Sequence, residues 1–166
     1  MNAGARALLA RALERRAPLR EDGRTTAFRW LNGAADGTPA LTLDLFADVG
    51  VLSTYDAQDP AAVADAAMGL LPLRALYVKD RPREAGTLRG DERAARAPAR
   101  PLRGKPVEVV EVREQGLAFG IRPGEGLAVG LYLDMREARR WVRSHARGLT
   151  VLNCFAYTGA FAIAAR

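Results

Sequence analysis

Alternating runs of apolar and polar residues predict a chain of short helices and strands. Apolar residues three and four apart indicate an amphipathic helix at the start of the chain, which ends at Pro18. Period-two runs separated by Asn-Gly and Asp-Gly pairs indicate antiparallel strands. The elements predicted for the first half are helices over 3–16 and 60–71 and strands over 25–31, 41–46, 51–55 and 74–79.

The middle of the chain combines a segment of low periodicity with a second hairpin. Residues 80–106 contain three prolines before position 102 and mixed charges, so we expect an exposed loop or a partly disordered insertion. Apolar runs over 107–112 and 117–121 flank a turn at Gln115-Gly116 and predict a hairpin. Residues 25–121 are therefore expected to form a small α+β domain, in the order strand–strand–helix–strand–strand with an extra leading strand.

The last stretch has the pattern of a strand–turn–helix unit. A helix is expected from Asp134 to about Gly148, with Trp141 and Val142 on an apolar side and three arginines on another. Val151–Phe155 reads as a strand covered on both faces, and a helix begins at Ala160. This unit opens doubly wound sheets and places a nucleotide-like ligand at the strand's carboxyl end. As a lone strand, Val151–Phe155 would expose both of its apolar faces. We therefore expect it to pair with another chain, for example in a homodimer, or to be poorly ordered.

Charge is unevenly distributed and indicates a polyanionic partner. The net charge is +6, and segments 1–29 and 80–106 each carry +4, which leaves −2 for the rest. Clustered arginines favour phosphate contacts. The alternative is a genome-wide composition bias, since 23 of the 25 basic residues are Arg, and the charge distribution favours nucleic-acid binding only modestly over it. The arginines expected to contact RNA are Arg11, Arg15, Arg16, Arg81, Arg83, Arg93 and Arg96.

Other compositional features narrow the functional classes. No apolar run approaches the roughly 20 residues of a membrane span, and the start is not a secretory signal, so we expect a cytoplasmic protein without a membrane partner. One cysteine excludes an internal disulfide, and one histidine argues against a zinc site. Cys154 is expected to be a small buried residue and His145 a helix-end residue.

The turn before the last helix holds the candidate ligand chemistry. Gly159 lets the backbone pass close to a ligand, and Thr158 offers a hydroxyl at the amino terminus of the helix. The turn lacks the three-glycine dinucleotide fingerprint, because Gly159 is its only glycine. This leaves room for other adenosine-containing ligands.

Four ordered blocks resemble one family. VLNCFAYTGAFAIAA, GLYLDMREARRWV, AFRWLNGAADGTPALTLDLFAD and VREQGLAFGI are similar to motifs of the class I S-adenosylmethionine-dependent methyltransferases that modify large-subunit ribosomal RNA. The resemblance covers roughly residues 25–166. It implies a central EEHEE-like domain over 25–121 and the start of a Rossmann-like domain over 122–166. A basic helix over 1–24 replaces the family's usual amino-terminal PUA domain.

The resemblance also implies a cofactor, a substrate and a set of site residues. S-adenosyl-L-methionine is the expected cofactor and a base of ribosomal RNA, at cytosine C5, the expected target. The cofactor-binding positions implied by the motifs are Tyr132, Asp134, Arg136, Asn153, Phe155, Tyr157, Thr158 and Gly159. Met135, Ala138 and Ala40 depart from the family's Gln, Asn and Gly, and Met135 lacks an amide that could bind the cofactor.

Three interpretations remain open. The first is part of an RNA methyltransferase, inactive alone because no residue in 1–166 can be assigned the catalytic thiolate or the later substrate motif. The second is a non-catalytic RNA-binding module that uses the Arg-rich segments 1–29 and 80–106. The third is another Rossmann-type enzyme, such as a nucleotide-dependent oxidoreductase, against which the single turn glycine and the LYLDMRE block count.

Overall fold

The computed structural model describes residues 3–21, 23–55, 59–82 and 89–166. The helices are α1 (Ala3–Arg15), α2 (Ala17–Glu21), α3 (Ala61–Leu70), α4 (Gly90–Arg96), α5 (Arg136–His145) and α6 (Ala160–Ala164). The strands are β1 (Ala27–Asn32), β2 (Leu41–Phe46), β3 (Val49–Thr54), β4 (Ala75–Asp80), β5 (Arg103–Gly104), β6 (Val110–Glu114) and β7 (Leu117–Ile121). Short 3-10 helices cover Gly33–Asp36 and Leu133–Met135.

A five-stranded mixed sheet organises the first two thirds of the chain. Its strand order is β1-β2-β3-β4-β5. The first three strands pair antiparallel, β3 and β4 pair parallel, and β5 is an antiparallel edge. The parallel step needs a crossover, which α3 supplies. The α+β fold class expected from the sequence is confirmed.

One face of this sheet packs against α1 and α3. Trp30, Leu43 and Leu76 of the sheet belong to one hydrophobic core with Leu9 of α1 and Ala64 of α3, and all five are fully buried. The Trp30 indole nitrogen donates a hydrogen bond to the Leu9 carbonyl at 2.9 Å. The helix predicted at the start of the chain is therefore part of the core, with its apolar side against the sheet.

The opposite face carries a second core beneath the β6–β7 hairpin. This core joins Phe46, Val51 and Tyr77 of the sheet to apolar residues of the hairpin and of the segment after it. The hairpin is a separate two-stranded sheet. Its turn has positive φ at both Gln115 (51°) and Gly116 (85°), the type I′ geometry that suits two-residue loops. The predicted hairpin is confirmed, with its first strand starting at Val110 rather than at 107.

The prediction of an unstructured segment over 80–106 was wrong in part. Residues 89–106 contain the helix α4 and the edge strand β5. An ion pair joins Arg96 to Asp80 at 2.5 Å, and another joins Arg103 to Asp65 at 2.6 Å. A helix of charged residues and a two-residue strand have too few apolar positions to produce a period. Arg83 lies outside the described residues.

The predicted strand Val151–Phe155 is also not formed. None of the strands in the described ranges pairs with it, and Leu152 and Phe155 are exposed. A strand apolar on both faces requires neighbouring strands and covering helices, which the described residues do not supply. The helix predicted after it is present as α6.

Candidate cofactor and nucleic-acid sites

Two of the candidate cofactor segments meet in the structure. The rings of Tyr132 and Tyr157 lie 5.5 Å apart, tilted by 48°. The Tyr157 hydroxyl donates to the Ala128 carbonyl at 3.2 Å, and the Thr158 hydroxyl donates to the Gly130 carbonyl at 2.6 Å. The stretch 128–132 and the turn 157–159 are thus held together, although 25 or more residues separate them in the sequence.

Gly130 sets the course of the first segment. Its φ is +123°, and a Cβ there would meet the Gly120 carbonyl oxygen at 3.2 Å. The backbone can therefore lie against β7 only with glycine at this position. The Arg122 nitrogen also donates to the Val129 carbonyl at 2.9 Å. These contacts fix the position of Tyr132 relative to the hairpin.

Gly159 leaves open space at the second segment. Its φ is +77°, and no heavy atom lies within 4 Å of where a Cβ would stand. It precedes α6, and the Ile163 nitrogen donates to its carbonyl at 3.0 Å. The expectation that a ligand approaches the backbone at this glycine stays a prediction.

A small cleft of about 50 Å³ lies between the sheet and these segments. Its polar wall includes the Arg29–Asp44 ion pair, with Nε and Oδ1 2.8 Å apart. The hydrogen bond to Asp44 raises the pKa of Arg29, so its guanidinium stays charged at neutral pH. Burial raises the pKa of Tyr157 at the mouth, so that it stays a neutral hydrogen-bond donor. The charged and aromatic lining residues are Arg29, Asp44, Phe46, Arg81, Tyr132, Asp134 and Tyr157.

Arg136 is bonded to other residues of the protein. It contacts Glu114 at 3.4 Å and donates to the Ala27 carbonyl. Arg139 makes the closer pair with the same carboxylate, at 2.7 Å. The predicted division of α5 was therefore wrong, because Arg139 is buried and Trp141 is 61% exposed. A carboxylate on the neighbouring hairpin reverses the usual rule that arginines mark the solvent side.

The remaining candidates of the cofactor motif lie apart from this contact. Phe155 is fully exposed and has a φ of +54°. The Asn153 Nδ2 atom is buried without a hydrogen-bond partner among the described residues. Cys154 is exposed, which corrects the expectation of a buried residue. His145 lies in the last turn of α5, as expected.

The arginines expected to contact RNA differ in availability. The side chain of Arg16 is 14% exposed and pairs with Asp36 at 2.6 Å, and Arg15 contacts the same carboxylate. Arg81 donates to Ser53 and to the Leu127 carbonyl, and Arg96 pairs with Asp80. The side chains that remain exposed are Arg11 and Arg93, with Arg15 partly so. Most of these arginines form ion pairs or hydrogen bonds within the protein.

Several residues near the site were not found from the sequence. Arg29 and Asp44 face each other across paired strands, a contact visible only once the register is known. Lys79 is fully buried, and its ammonium has no hydrogen-bond partner in the part of the chain that the structure describes. Within those residues, no group of three His, Cys, Asp or Glu side chains is placed to hold a metal, and no helix is long and apolar enough to cross a membrane.

The comparisons with known proteins agree on one family. Residues 88–166 match the family model of the S-adenosylmethionine-dependent methyltransferases. A protein of Bacillus subtilis named as a ribosomal RNA large subunit methyltransferase, YwbD, is 34% identical over 164 residues, which are 95% of this chain and 39% of that protein. Ribosomal RNA large subunit methyltransferase I of Alteromonas mediterranea is 31% identical over 90% of this chain and 37% of its own length.

Solved structures show the same likeness. A protein from Streptococcus mutans named as a SAM-dependent methyltransferase superposes with a TM-score of 0.80 at 26% identity, over 97% of this chain and 41% of that one. A crystal structure of a methyltransferase complexed with SAH has the same TM-score and identity, over 97% of this chain and 40% of that one. The chain spans about two fifths of the length of the curated relatives it matches.

Proposed function

We propose that this chain is part of a longer ribosomal RNA methyltransferase and supplies the first segments of its cofactor site. The chain belongs to the S-adenosylmethionine-dependent methyltransferase family. The observation that carries this proposal is the contact between the stretch 128–132 and the turn 157–159. Both stretches lie within residues 88–166, which match the family model. The two segments that the motifs assign to the cofactor are thus adjacent in space.

The proposed cofactor contacts divide into two kinds. Tyr132, Asp134 and Tyr157 line the cleft, and Thr158 and Gly159 follow Tyr157 in the turn, where the Cβ position of Gly159 is open. These five residues would face S-adenosyl-L-methionine directly. Arg136 is bonded to Glu114 and to the Ala27 carbonyl, so its part is to hold the segment in place. Asn153 and Phe155 would join the site only when Val151–Phe155 pairs as a strand. Their present separation from Tyr132 and Tyr157 is consistent with that condition.

The substrate we propose is a base of large-subunit ribosomal RNA, and the finer assignment is cytosine C5. A ring carbon is a poor nucleophile toward the methyl group that the cofactor supplies, so such an enzyme needs a thiolate that adds to the base first. Cys154 is an exposed cysteine within the cofactor motif, on the side where the methionine moiety is expected. The family resemblance implies that the nucleophile comes from a later motif, so Cys154 is not assigned that role, and we propose that the 166-residue chain alone does not transfer methyl groups.

The second candidate is an RNA-binding module without catalysis. The charge of +4 in each of the segments 1–29 and 80–106 favours it. Against it, Arg16, Arg29 and Arg103 form ion pairs with Asp36, Asp44 and Asp65, which lie outside the two segments and offset part of that charge. The methyltransferase proposal therefore explains more of the observed features than the RNA-binding module does.

The experiment that tests the proposal is a methyl-transfer assay with the full-length gene product. Large-subunit ribosomal RNA from a strain that lacks the gene is incubated with labelled S-adenosylmethionine, and its nucleosides are identified by mass spectrometry. We expect label in one nucleoside, 5-methylcytidine, with no transfer by the 166-residue chain. Label in a different nucleoside would overturn only the cytosine C5 assignment. Absence of label with the full-length protein would refute the methyltransferase proposal.

A further inference from the structure

The face of the central sheet that lies beneath the β6–β7 hairpin carries a row of buried polar side chains. Thr42 of β2 is paired with Ser53 of β3, and Ser53 is paired with Lys79 of β4. Directly opposite residues of neighbouring strands point to the same side of a sheet. Lys79 shares its side with Tyr77, which belongs to the core beneath the hairpin, because residues two apart on a strand point the same way. The exposed fractions of Thr42, Ser53 and Lys79 are 7, 2 and 0%.

Two polar atoms of this row have no hydrogen-bond partner. Thr42 Oγ1 and Lys79 Nζ are two of the three buried side-chain atoms that lack one in the described part of the chain. The Tyr77 ring centroid lies 5.7 Å from the ammonium, near the outer limit of about 6 Å for a cation–π contact. That contact accepts none of the three ammonium N–H donors. Burial of such donors without an acceptor is unfavourable, so the row has unused binding capacity.

Arg81 adds a second positive charge beside Lys79. Its backbone nitrogen donates to the Thr54 carbonyl at 2.7 Å, which continues the pairing of β4 with β3. Arg81 and Lys79 therefore lie on the same side, about 6.6 Å apart along the strand. The Arg81 Nε atom donates to the Ser53 hydroxyl at 3.1 Å, and Nη2 donates to the Leu127 carbonyl. Burial is the larger cause of the lowered pKa of Lys79, and the charge of Arg81 is the second.

The protein supplies these two cations with no carboxylate. Both printed partners of Arg81 are neutral, and the ammonium of Lys79 has no partner within the described residues. Asp80, which lies between the two in the sequence, is paired with Arg96 at 2.5 Å instead. Two neighbouring buried cations that share no counter-charge repel each other, and an anion placed between them would remove that cost.

The cleft described above gives access to Arg81. Arg81 lines it, and its volume of about 50 Å³ has room for a group as small as a carboxylate, since one water needs about 10–15 Å³. Of the two carboxylates that line it, Asp44 is paired with Arg29, and Asp134 is exposed.

We propose that Lys79 and Arg81 form a binding site for a small oxyanion, a carboxylate or phosphate group, which enters through the cleft and also accepts a hydrogen bond from Thr42. An oxyanion is acceptor-only and matches the unused N–H and O–H donors. Its source is either a free ion or the carboxylate of a larger ligand. Tyr132 and Tyr157 line the same cleft, so the larger ligand would be S-adenosyl-L-methionine, and this second source rests on the proposed function.

The chain contains only two lysines, which makes the ammonium directly observable. Lys79 is buried and Lys105 is exposed, so lysine-selective carbon-13 labelling gives two distinct side-chain signals in NMR spectra. The 166-residue chain is titrated with sodium phosphate, and with sodium chloride at the same ionic strength. We expect only the Lys79 signal to shift and saturate with phosphate. The pKa of Lys79 should then rise from about 8 towards the ordinary value of 10.5.

Matched variants test the two unpartnered donors. Phosphate should raise the melting temperatures of wild type and of the control Lys105→Met equally. Lys79→Met removes the ammonium but keeps an unbranched apolar side chain, and it should bind phosphate at least about tenfold more weakly. Thr42→Val replaces the hydroxyl by a methyl group and should weaken binding about threefold or more. Circular dichroism checks that each variant is folded, and Thr42→Val decides the test if Lys79→Met is not.

A second titration distinguishes the two sources of the anion. S-adenosylhomocysteine carries the carboxylate, whereas 5′-methylthioadenosine has the same nucleoside without the amino-acid end. Both are titrated calorimetrically into the full-length gene product and its Lys79→Met variant. A loss of about tenfold or more for S-adenosylhomocysteine alone would assign the site to the cofactor carboxylate. Unchanged affinity for both ligands, with a phosphate response that depends on Lys79, would assign it to a free anion.

Either assignment supports the oxyanion site. The site would be overturned if phosphate stabilised wild type and Lys79→Met alike and the variant also kept its affinity for S-adenosylhomocysteine. A full-length protein that bound no S-adenosylhomocysteine would contradict the proposed function, and the phosphate titration would then decide the anion site by itself.

Discussion

Arg139 of α5 and Glu114 at the end of β6 form a buried ion pair with two hydrogen bonds. The Nε–Oε1 and Nη2–Oε2 distances are 2.7 and 2.8 Å, and both side chains are almost fully buried. The same Arg139 also donates to the Tyr132 carbonyl at 2.9 Å. One arginine therefore joins the hairpin, α5 and the segment that carries Tyr132. The geometry of the proposed cofactor site depends on this pair.

Removing the arginine should be strongly destabilising. Arg139→Met leaves the Glu114 carboxylate buried with only the longer contact to Arg136, and such a loss costs about 3–5 kcal/mol. Urea denaturation followed by circular dichroism measures the free energy of unfolding. The control is Arg140→Met on the same helix, whose exposed pair with Glu137 should contribute less than about 1 kcal/mol. Equal effects of the two substitutions would show that the buried pair has no special role.

Asp36 should have a similar role at the amino-terminal helix. Its side chain is 2% exposed and accepts hydrogen bonds from Arg16 and from the Asn32 nitrogen, each at 2.6 Å. Burial acts to raise its pKa, but the bonds from Arg16 and Asn32 outweigh it and the pKa is lowered. Asp36→Asn should therefore destabilise the protein by about 2–4 kcal/mol at pH 7 and accelerate hydrogen exchange in α1.

The pH dependence gives Asp36 a second test. A carboxylate with a lowered folded pKa stabilises the protein above its ordinary pKa, and this contribution disappears as the pH falls through the folded value. The stability difference between wild type and Asp36→Asn should thus shrink as the pH falls below about 4. Asp48→Asn, which removes an exposed pair with Arg74, serves as the control. A difference independent of pH would contradict the assignment.

Lys79 should make the stability depend on pH in the opposite direction to Asp36. Burial, with the nearby charge of Arg81, lowers the pKa of Lys79 to about 8. The unfolded chain then binds more protons than the folded one between about pH 8 and 10.5, so stability should rise with pH across that interval. Lys79→Met should abolish this rise and stabilise the protein at pH 7 by about 1–3 kcal/mol, the cost of an unsatisfied buried polar group. Destabilisation by Lys79→Met at pH 7 would show that the ammonium has a stabilising partner.

Gly104 should not tolerate a side chain. Its φ is +84°, and a Cβ would stand 2.1 Å from the carbonyl oxygen of Arg74, the residue directly before β4. Gly104→Ala should displace β5 from β4 and lower the free energy of unfolding by about 2–4 kcal/mol. Gly90→Ala is the control, because no heavy atom lies within 4 Å of its Cβ position and it begins α4. Thermal unfolding of the two variants compares them directly, and equal melting temperatures would count against the steric conflict.

The sequence predicted elements wherever local patterning determines them. The alternation over Leu41–Phe46 and the Gln115-Gly116 turn depend on neighbouring residues only, and both were predicted correctly. The prediction of the strand Val151–Phe155 was wrong because a strand covered on both faces needs neighbouring strands, and none of the described strands pairs with it. The short α4 was missed because its charged residues have no apolar period.

The residues of the candidate site were also predicted only in part. The motifs around Tyr132 and Tyr157 were recognised, and the structure brings these residues into contact. The roles of Arg16 and Arg139 could not be predicted, because their acidic partners, Asp36 and Glu114, lie 20 and 25 residues away. An arginine in the sequence looks the same whether it faces a phosphate or a buried carboxylate.

The affinity of the full-length gene product for S-adenosylhomocysteine tests the central claim most directly. Gly159 and Gly148 both have positive φ, +77° and +75°, and open space at the Cβ position, so alanine strains both backbones alike. Only Gly159 lies at the proposed cofactor site. By calorimetric titration the wild type and Gly148→Ala should bind with similar affinity, and Gly159→Ala at least about tenfold more weakly. Absence of binding by the wild type, or equal affinity of the two variants, would contradict the proposed cofactor site.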